Sequence, residues 1–145
     1  MLDKQIFEVV VKSSPLVSID LIVKNEDKVL LGKRVNNPAK GYFFSVGGRI
    51  FKNEKINDAM ARIAQAELGV SLQSAPKFIG VFEHFYDDSD FNSVSTHYVN
   101  LAYEVLIDED PILPLEQHNE YQWLTKEELL ESKLVHKYVK DYFAN

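Results

Sequence analysis

The chain has 145 residues, 46% of them hydrophobic, which fits one globular domain, and we predict a single domain over residues 1–145. Its formal net charge of −6 disfavours a broad nucleic-acid surface, because duplex binding depends on many Lys and Arg contacts to phosphate. The sequence has no cysteine, no apolar stretch of membrane-spanning length and no cleavable-signal pattern at its N-terminus, so we expect no disulfide, no membrane partner and a cytoplasmic location.

The first elements predicted are a helix and a strand. Residues 3–12 place Ile6, Val9 and Val10 at helical spacing, which predicts a short amphipathic helix or arm that the following Ser-Ser-Pro ends. Residues 16–24 then alternate between a mixed face and an apolar face, which predicts a strand with one buried face. The mixed face carries Leu16, Ser18 and Asp20, and the apolar face carries Val17, Ile19, Leu21 and Val23.

A hairpin and a glycine pair follow. A short turn leads into a second strand that ends at Arg34, and a loop with a short aromatic strand carries the chain to Gly47 and Gly48. Glycines adopt backbone angles that other residues cannot, and they leave carbonyl oxygens uncovered for a hard cation to approach. A glycine pair alone is weak support for a metal site.

The stretch after the glycine pair predicts a helix that Gly69 closes. Ile56, Met60 and Ile63 fall within a narrow arc and indicate its buried face. Glu67 lies on the same arc near the C-terminus of the helix, where the helix dipole disfavours negative charge. The carboxylate of Glu67 therefore either reaches water at a frayed helix end or is neutralised by a cation.

The second half of the chain predicts two longer strands, a short strand and one or two C-terminal helices. In the strand STHYVNLAYEVLID, His97 falls on the face interpreted as core, which makes it a structural residue, and Tyr98 falls on the other face. Thr125 and Glu128 form a capping box at the start of the C-terminal helices. These elements predict an α/β (α+β) fold with a mixed sheet between helices.

Several polar residues could carry chemistry. Arg34 ends a strand and Arg49 follows the glycine pair, where both could bind a diphosphate bidentately or form surface salt bridges. Asp20 lies mid-strand, where a lone aspartate is usually solvated or paired with a cation. Gln117 and His118 belong to a segment whose composition is typical of an exposed polar loop.

The stretch GGRIFKNEKINDAMARIAQAELGV resembles the Nudix box, G-x5-E-x7-R-E-U-x-E-E-x-G-U, in which U is aliphatic. The matching residues are Gly48, Glu54, Arg62, Glu67, Gly69 and Val70. Ile63 and Ala66 stand where the pattern has glutamates, and Ala64 stands in an aliphatic position. The resemblance therefore implies fewer bound magnesium ions than usual, which counts against ordinary Nudix attack at phosphorus.

This pattern of loss is similar to that of the GDP-mannose mannosyl hydrolases, a Nudix branch. The matching segments are SSPLVSIDLIV, LLGKR, PAKGYFFSVGGR, AELGV, HFYDD, THYV and EQHNEYQWL. The resemblance implies an α/β/α sandwich and a homodimer. It also implies hydrolysis of GDP-mannose, or of GDP-glucose, to GDP and free sugar with one Mg²⁺ per active site.

The resemblance further implies a role for each site residue. The metal ligands would be Gly47, Glu67 and Gln117, and the general base, with a pKa near its ordinary value of about 6.5, would be His118. The leaving diphosphate would be contacted by Arg34, Arg49, a protonated His84, Tyr86 and Tyr98, and Asp20 would orient sugar or water. Glu54 and Arg62 would support the loop and helix without binding metal.

Two other functions stay open from the sequence. An ordinary Nudix pyrophosphatase would split a nucleotide sugar at phosphorus, and Ile63 and Ala66 count against it. A non-catalytic nucleotide-sugar sensor is compatible with the reduced box, and the presence of Gln117 and His118 counts against it. Whether water attacks carbon or phosphorus decides between the two enzymes.

Overall fold

The computed structural model describes residues 2–91, 93–108, 110–115 and 118–144. The helices are α1 (Lys4–Ser13), α2 (Ile56–Leu68), α3 (Lys126–Glu131) and α4 (Lys137–Asp141). The strands are β1 (Leu16–Asn25), β2 (Lys28–Arg34), β3 (Phe43–Phe44), β4 (Val46–Arg49), β5 (Lys77–Tyr86), β6 (Thr96–Leu106) and β7 (His118–Thr125). None of the helices in these ranges is long and apolar enough to cross a membrane.

The strands form one mixed sheet of seven strands in which β1 and β2 diverge. The two strands pair at the hairpin, through Lys24 with Val29 and Asn25 with Lys28. Beyond it, β1 pairs antiparallel with β4 and parallel with β6, whereas β2 pairs antiparallel with β3 and β7. Strand β5 pairs with the outer side of β6. The predicted hairpin and mixed sheet are confirmed.

Hydrophobic clusters cover both faces of the sheet. On one face, α2 packs with Met60, Ile63 and Leu68 against β1 and β6. On the other face, Leu129 and Val139 of the C-terminal helices pack against β1, β2 and β3. Helices therefore lie on both sides of the sheet, and the predicted α/β/α sandwich is confirmed.

Because helices cover both faces, the central strands are buried more completely than alternation predicts. Strand β1 is buried on both faces from Ser18 to Val23, whereas Val17, expected in the core, is 42% exposed. In β6 the face carrying Asn100 and Ala102 is buried as well. The prediction of a single buried face was wrong, because a strand at the centre of a sandwiched sheet contacts helices on both sides.

The apolar faces of two helices also differ from the prediction. In α1, Ile6 and Val9 are 52% and 61% exposed, and the helix instead packs through Phe7, Val10 and Val11. In α2, Ile56 is 41% exposed because it is the first residue of the helix, outside the packed turns. Helical spacing identifies an apolar stripe, but it does not show which part of that stripe meets the sheet.

Candidate active site

Most of the predicted site residues line one cavity of about 600 Å³. Nine of the ten line it, namely Asp20, Arg34, Gly47, Arg49, Glu67, His84, Tyr86, Tyr98 and His118. The tenth, Gln117, lies outside the described residues. The nine residues come from β1, β2, β4, α2, β5, β6 and β7.

Strand register places six of these residues in three directly opposed pairs. Asp20 of β1 lies opposite Gly47 of β4, and Arg34 of β2 lies opposite His118 of β7. His84 of β5 lies opposite Tyr98 of β6. Directly opposed residues on neighbouring strands have side chains within contact distance, so the sheet itself assembles the site.

The glycine at position 47 is required by the close approach of β1. A Cβ atom there would lie 2.3 Å from the carbonyl oxygen of Ile19 and 2.7 Å from Oδ1 of Asp20. Glycine thus lets the two strands meet at the point where the cavity begins.

The oxygen donors around the cavity fit a magnesium ion bound largely through its substrate. Glu67 is 8% exposed and lines the cavity, as does the backbone around Gly47. Within the described residues, no group of three or more His, Cys, Asp or Glu side chains could hold a metal. Mg²⁺ is usually bound by one or two carboxylates together with substrate phosphates, and this donor set fits that mode.

Arg62 and Glu54 hold the loop between β4 and α2. Arg62 donates to both carboxylate oxygens of Glu54, at 2.8 and 2.9 Å, and to the backbone carbonyl of Arg49 at 2.7 Å. Glu54 also accepts a hydrogen bond of 3.0 Å from the amide of Phe51. The pair thus fixes the backbone of Arg49, as expected of residues that support the loop and helix.

We predict that Glu54→Gln destabilises the protein at neutral pH and that the difference fades in acid. The bonds to Arg62 and to the Phe51 amide lower the pKa of Glu54 from 4.5 to about 2. A carboxyl group whose folded pKa is depressed stabilises the fold fully above its unfolded pKa and loses this contribution as the pH falls toward the folded pKa. Urea unfolding at several pH values measures the effect, and a difference that stays constant down to acid pH would contradict it.

His118 is buried, although composition predicted an exposed loop. It is the first residue of β7 and is 2% exposed. Its ring lies beside the backbone of Gly32, so a Cβ atom on Gly32 would lie 2.7 Å from the His118 ring. Neither ring nitrogen has a hydrogen-bond partner among the described residues. Burial, with a smaller effect of the Arg34 charge, lowers the pKa of His118 to about 4. The prediction of an ordinary pKa was therefore wrong, and His118 is neutral at physiological pH.

His84 is neutral as well, although we predicted a cation. Burial, with a smaller effect of His136, lowers the pKa of His84 to about 4. The amide nitrogen of Asn100 lies 2.6 Å from Nδ1 of His84, and because an amide NH₂ can only donate, neutral His84 carries its proton on Nε2. His84 can therefore donate a hydrogen bond without bringing a positive charge.

Asp20 is buried rather than solvated. It is 7% exposed, and burial raises its pKa to about 6, against the opposing effects of a hydrogen bond from Tyr142 and the charge of Arg34. The hydroxyl of Tyr142 donates to Oδ2 of Asp20 and lies 3.4 Å from Nε2 of His84. Ser18 donates to the side-chain carbonyl of Asn100. One hydrogen-bonded chain therefore runs from Ser18 through Asn100, His84 and Tyr142 to Asp20.

The arginine and tyrosine side chains complete the polar lining. Nε of Arg34 donates to the carbonyl oxygen of Pro38 at 2.8 Å, so this bond does not occupy the terminal nitrogens of the guanidinium, which can bind an anion. Burial raises the pKa of Tyr86 and of Tyr98, so both hydroxyls remain protonated. Protonated phenols can donate hydrogen bonds to phosphate oxygens.

Sequence reasoning missed several residues that lie in or behind this cavity. Asn100 follows Tyr98 on the same strand face, which was the one available signal. Tyr142 follows α4, and Phe7 reaches the cavity from α1. Neither is marked by a motif, because each reaches the site through long-range packing.

The comparisons with known proteins agree on one family. The family model described as "NUDIX domain" matches residues 14–143. The "low-salt glycan biosynthesis protein Agl8" of Haloferax volcanii is 45% identical over 115 residues, 79% of this chain and 73% of that protein. An "ADP-ribose pyrophosphatase" of Methanocaldococcus jannaschii is 35% identical over 68 residues, 47% of this chain and 40% of that protein.

Solved structures share the fold. The MutT protein of Methanosarcina mazei Go1 superposes with a TM-score of 0.74 at 21% identity, covering 90% of this chain and 92% of that one. The NUDIX domain of Shewanella oneidensis NrtR, in complex with ADP ribose, superposes with a TM-score of 0.69 at 16% identity, covering 99% and 97%. At these identities the likeness shows the fold alone.

Proposed function

The chain belongs to the Nudix family, and from this premise we propose that it hydrolyses GDP-mannose or GDP-glucose to GDP and free sugar by attack of water at the anomeric carbon. The general class, a Nudix hydrolase, follows from the family; the substrate and the bond that is broken are our proposal. We also propose that the metal is Mg²⁺ and that the protein is a homodimer.

The observation that carries the proposal is the composition of the cavity wall contributed by α2. Ile63, Ala66 and Glu67 all line the cavity, so two apolar residues face it where the Nudix box has glutamates. Glu67 is the one box carboxylate that lines the cavity from α2, and this loss of glutamates is the pattern on which the sequence resemblance to the mannosyl hydrolases rests. Few metal-binding carboxylates suit a reaction in which the metal neutralises a leaving group.

In this proposal His118 acts as the general base. Water would attack C1 of the sugar from the face opposite the diphosphate, its proton would pass to His118, and the C1–oxygen bond electrons would leave with GDP. The sugar would therefore be released with inverted configuration at C1. Two observations support the role: His118 is neutral, and both of its ring nitrogens lack a partner among the described residues.

The leaving diphosphate would be stabilised by charge and hydrogen bonds around the cavity. Nudix hydrolases generally use divalent metal ions, and a bound Mg²⁺ would neutralise the charge on GDP. Gly47, Glu67 and Gln117 would hold it. Arg34 and Arg49 would bind the phosphates bidentately, and Tyr86 and Tyr98 would donate neutral hydrogen bonds to them. His84 would face the diphosphate as a neutral group whose Nε2–H is directed at the Tyr142 hydroxyl.

Asp20 would orient the sugar or the attacking water. Its carboxylate faces the cavity at the strand position opposite Gly47, and the Tyr142 hydroxyl holds one of its two oxygens. The likeness to Agl8, whose name places it in glycan biosynthesis, favours a sugar-containing substrate.

Hydrolysis of GDP-mannose with Mg²⁺ in ¹⁸O-labelled water tests the proposal, with the products analysed by mass spectrometry. Attack at carbon places the label in free mannose and none in GDP. Matched reactions without enzyme and without Mg²⁺ control for spontaneous hydrolysis and exchange.

The second candidate is a pyrophosphatase that cleaves at phosphorus. The likeness of part of this chain to an ADP-ribose pyrophosphatase favours it. In the same experiment this reaction would release GMP and mannose 1-phosphate with the label in a phosphate group. That result would overturn the proposal and the roles given to His118 and the metal ligands. Tight GDP-mannose binding with Mg²⁺ but without turnover would indicate a sensor instead.

A further inference from the structure

The N-terminal helix contributes to the cavity although it precedes the family domain. The match to the family model begins at residue 14, and α1 spans Lys4–Ser13. Leu2 and Phe7 nevertheless line the cavity, together with Arg49. An element outside the matched domain therefore forms part of the wall of the candidate active site.

The guanidinium of Arg49 lies over the ring of Phe7. The Cζ atom of Arg49 is 4.4 Å from the Phe7 ring centroid and 5.7 Å from that of Phe51. The face of Phe51 is shared with Arg62, whose Cζ is closer, at 3.9 Å. Phe7 is thus the principal aromatic neighbour of the Arg49 guanidinium among the described residues.

Phe7 is itself held in place by the fold. Its ring meets that of Phe91 edge to face, with centroids 6.0 Å apart and an angle of 66° between the rings. Phe91 is 8% exposed and packs with Val11 and Leu16 in a small cluster that anchors α1 to β1. The Phe7 ring is therefore a fixed surface against which a guanidinium can be oriented.

Arg49 is consequently held at both ends by different parts of the chain. The Glu54–Arg62 pair fixes its backbone carbonyl, as described above. Its side chain would otherwise be a long and flexible group, whose ordering on substrate binding costs conformational entropy. Stacking on Phe7 reduces that cost in advance and leaves the edge of the planar guanidinium available to an anion.

We propose that Phe7 is a positioning residue, which orients Arg49 to bind the diphosphate of the substrate. The inference rests on the proposed function, because it takes the anion bound by Arg49 to be a nucleoside diphosphate. It assigns to α1 a part in substrate binding that its position before the family domain does not suggest.

A double-mutant cycle on Phe7 and Arg49 tests the proposal, with GDP binding in the presence of Mg²⁺ measured by calorimetry. Phe7→Leu keeps an apolar side chain but removes the aromatic face, and we expect it to raise the Kd for GDP about three- to fivefold, the range for a partly exposed cation–π contact. In an Arg49→Gln background the same change should have no effect. Phe7→Trp, which keeps an aromatic face, should retain affinity.

Two controls separate positioning from general damage. Phe78→Leu makes the same change at a half-exposed phenylalanine that packs on Tyr103 and does not line the cavity, so GDP affinity should be unchanged. The melting temperature of each variant reports whether α1 remains packed. In steady-state assays with GDP-mannose, Phe7→Leu should raise KM more than it lowers kcat.

The outcomes divide clearly. Loss of GDP affinity that persists in the Arg49→Gln background would show that Phe7 does not act through Arg49, and unchanged affinity in Phe7→Leu would show that it has no role in binding. Either result overturns the inference and leaves the reaction at carbon intact. ¹⁸O label in phosphate would instead refute the proposed function while the cycle for GDP still holds. Wild-type protein that does not bind GDP would refute the inference.

Discussion

Replacing His118 with alanine is expected to lower kcat by about 10² to 10⁴, the range typical of a lost general base, with little change in KM. The reason is that His118 would act on the attacking water, so its loss affects the transition state more than substrate binding. Steady-state kinetics with GDP-mannose at saturating Mg²⁺ measure both constants.

The design must separate lost chemistry from lost packing, because His118 is 2% exposed and its removal leaves a void beside Tyr121. His118→Gln retains much of the volume and should lose similar activity. His97→Ala is the matched control, because the His97 ring stacks on that of Phe85, with the ring centroids 4.4 Å apart, and does not line the cavity. A His118→Ala protein that folds with wild-type kcat would remove this residue from the mechanism.

The second large effect is expected from Glu67→Gln, which should weaken the binding of the Mg²⁺ on which activity depends. Glu67 is the one carboxylate of the Nudix box that lines the cavity from α2, and an amide in its place is a neutral and weaker ligand for a hard cation. We expect the Mg²⁺ concentration for half-maximal activity to rise at least about tenfold, by analogy with changes around other metal sites.

Asp58→Asn provides the control for Glu67→Gln. It makes the corresponding change in the same helix, at an exposed residue of the first turn that does not line the cavity. Its Mg²⁺ titration should match that of the wild type. A Glu67→Gln variant with a wild-type titration would show that this carboxylate is not a ligand, and the metal site would then have to be sought elsewhere around the cavity.

The position of the helices and strands could be predicted from sequence because the signals are local. Alternation identified β1 and β6, and the capping box of Thr125 and Glu128 marked the start of α3. Gly69 was expected to close α2 and does so with a left-handed backbone, at φ 64°. Each of these signals lies within a few residues of the element that it predicts.

Much of the site could be predicted as well, although from a resemblance more than from local pattern. Nine residues named from matching segments line one cavity, whereas composition alone indicated an exposed loop for His118, and the strand position of Asp20 indicated a carboxylate that is solvated or paired with a cation. The errors share a cause, since exposure depends on what packs over a residue from distant parts of the chain. The same cause explains why His84 was wrongly predicted to be protonated and His118 to have an ordinary pKa, since burial lowers the pKa of both.

By itself, then, the amino-acid sequence determined the order of the elements, the capped helix of the Nudix box and the residue types available for chemistry, because these depend on neighbours along the chain. Only the tertiary structure decided that Arg34 lies opposite His118 and His84 opposite Tyr98, since strand register is set by packing between distant segments. It also decided that both histidines are neutral, because desolvation follows from burial by the whole fold. The contact of Phe7 with Arg49 belongs to the same class, because it joins two segments that no sequence pattern connects.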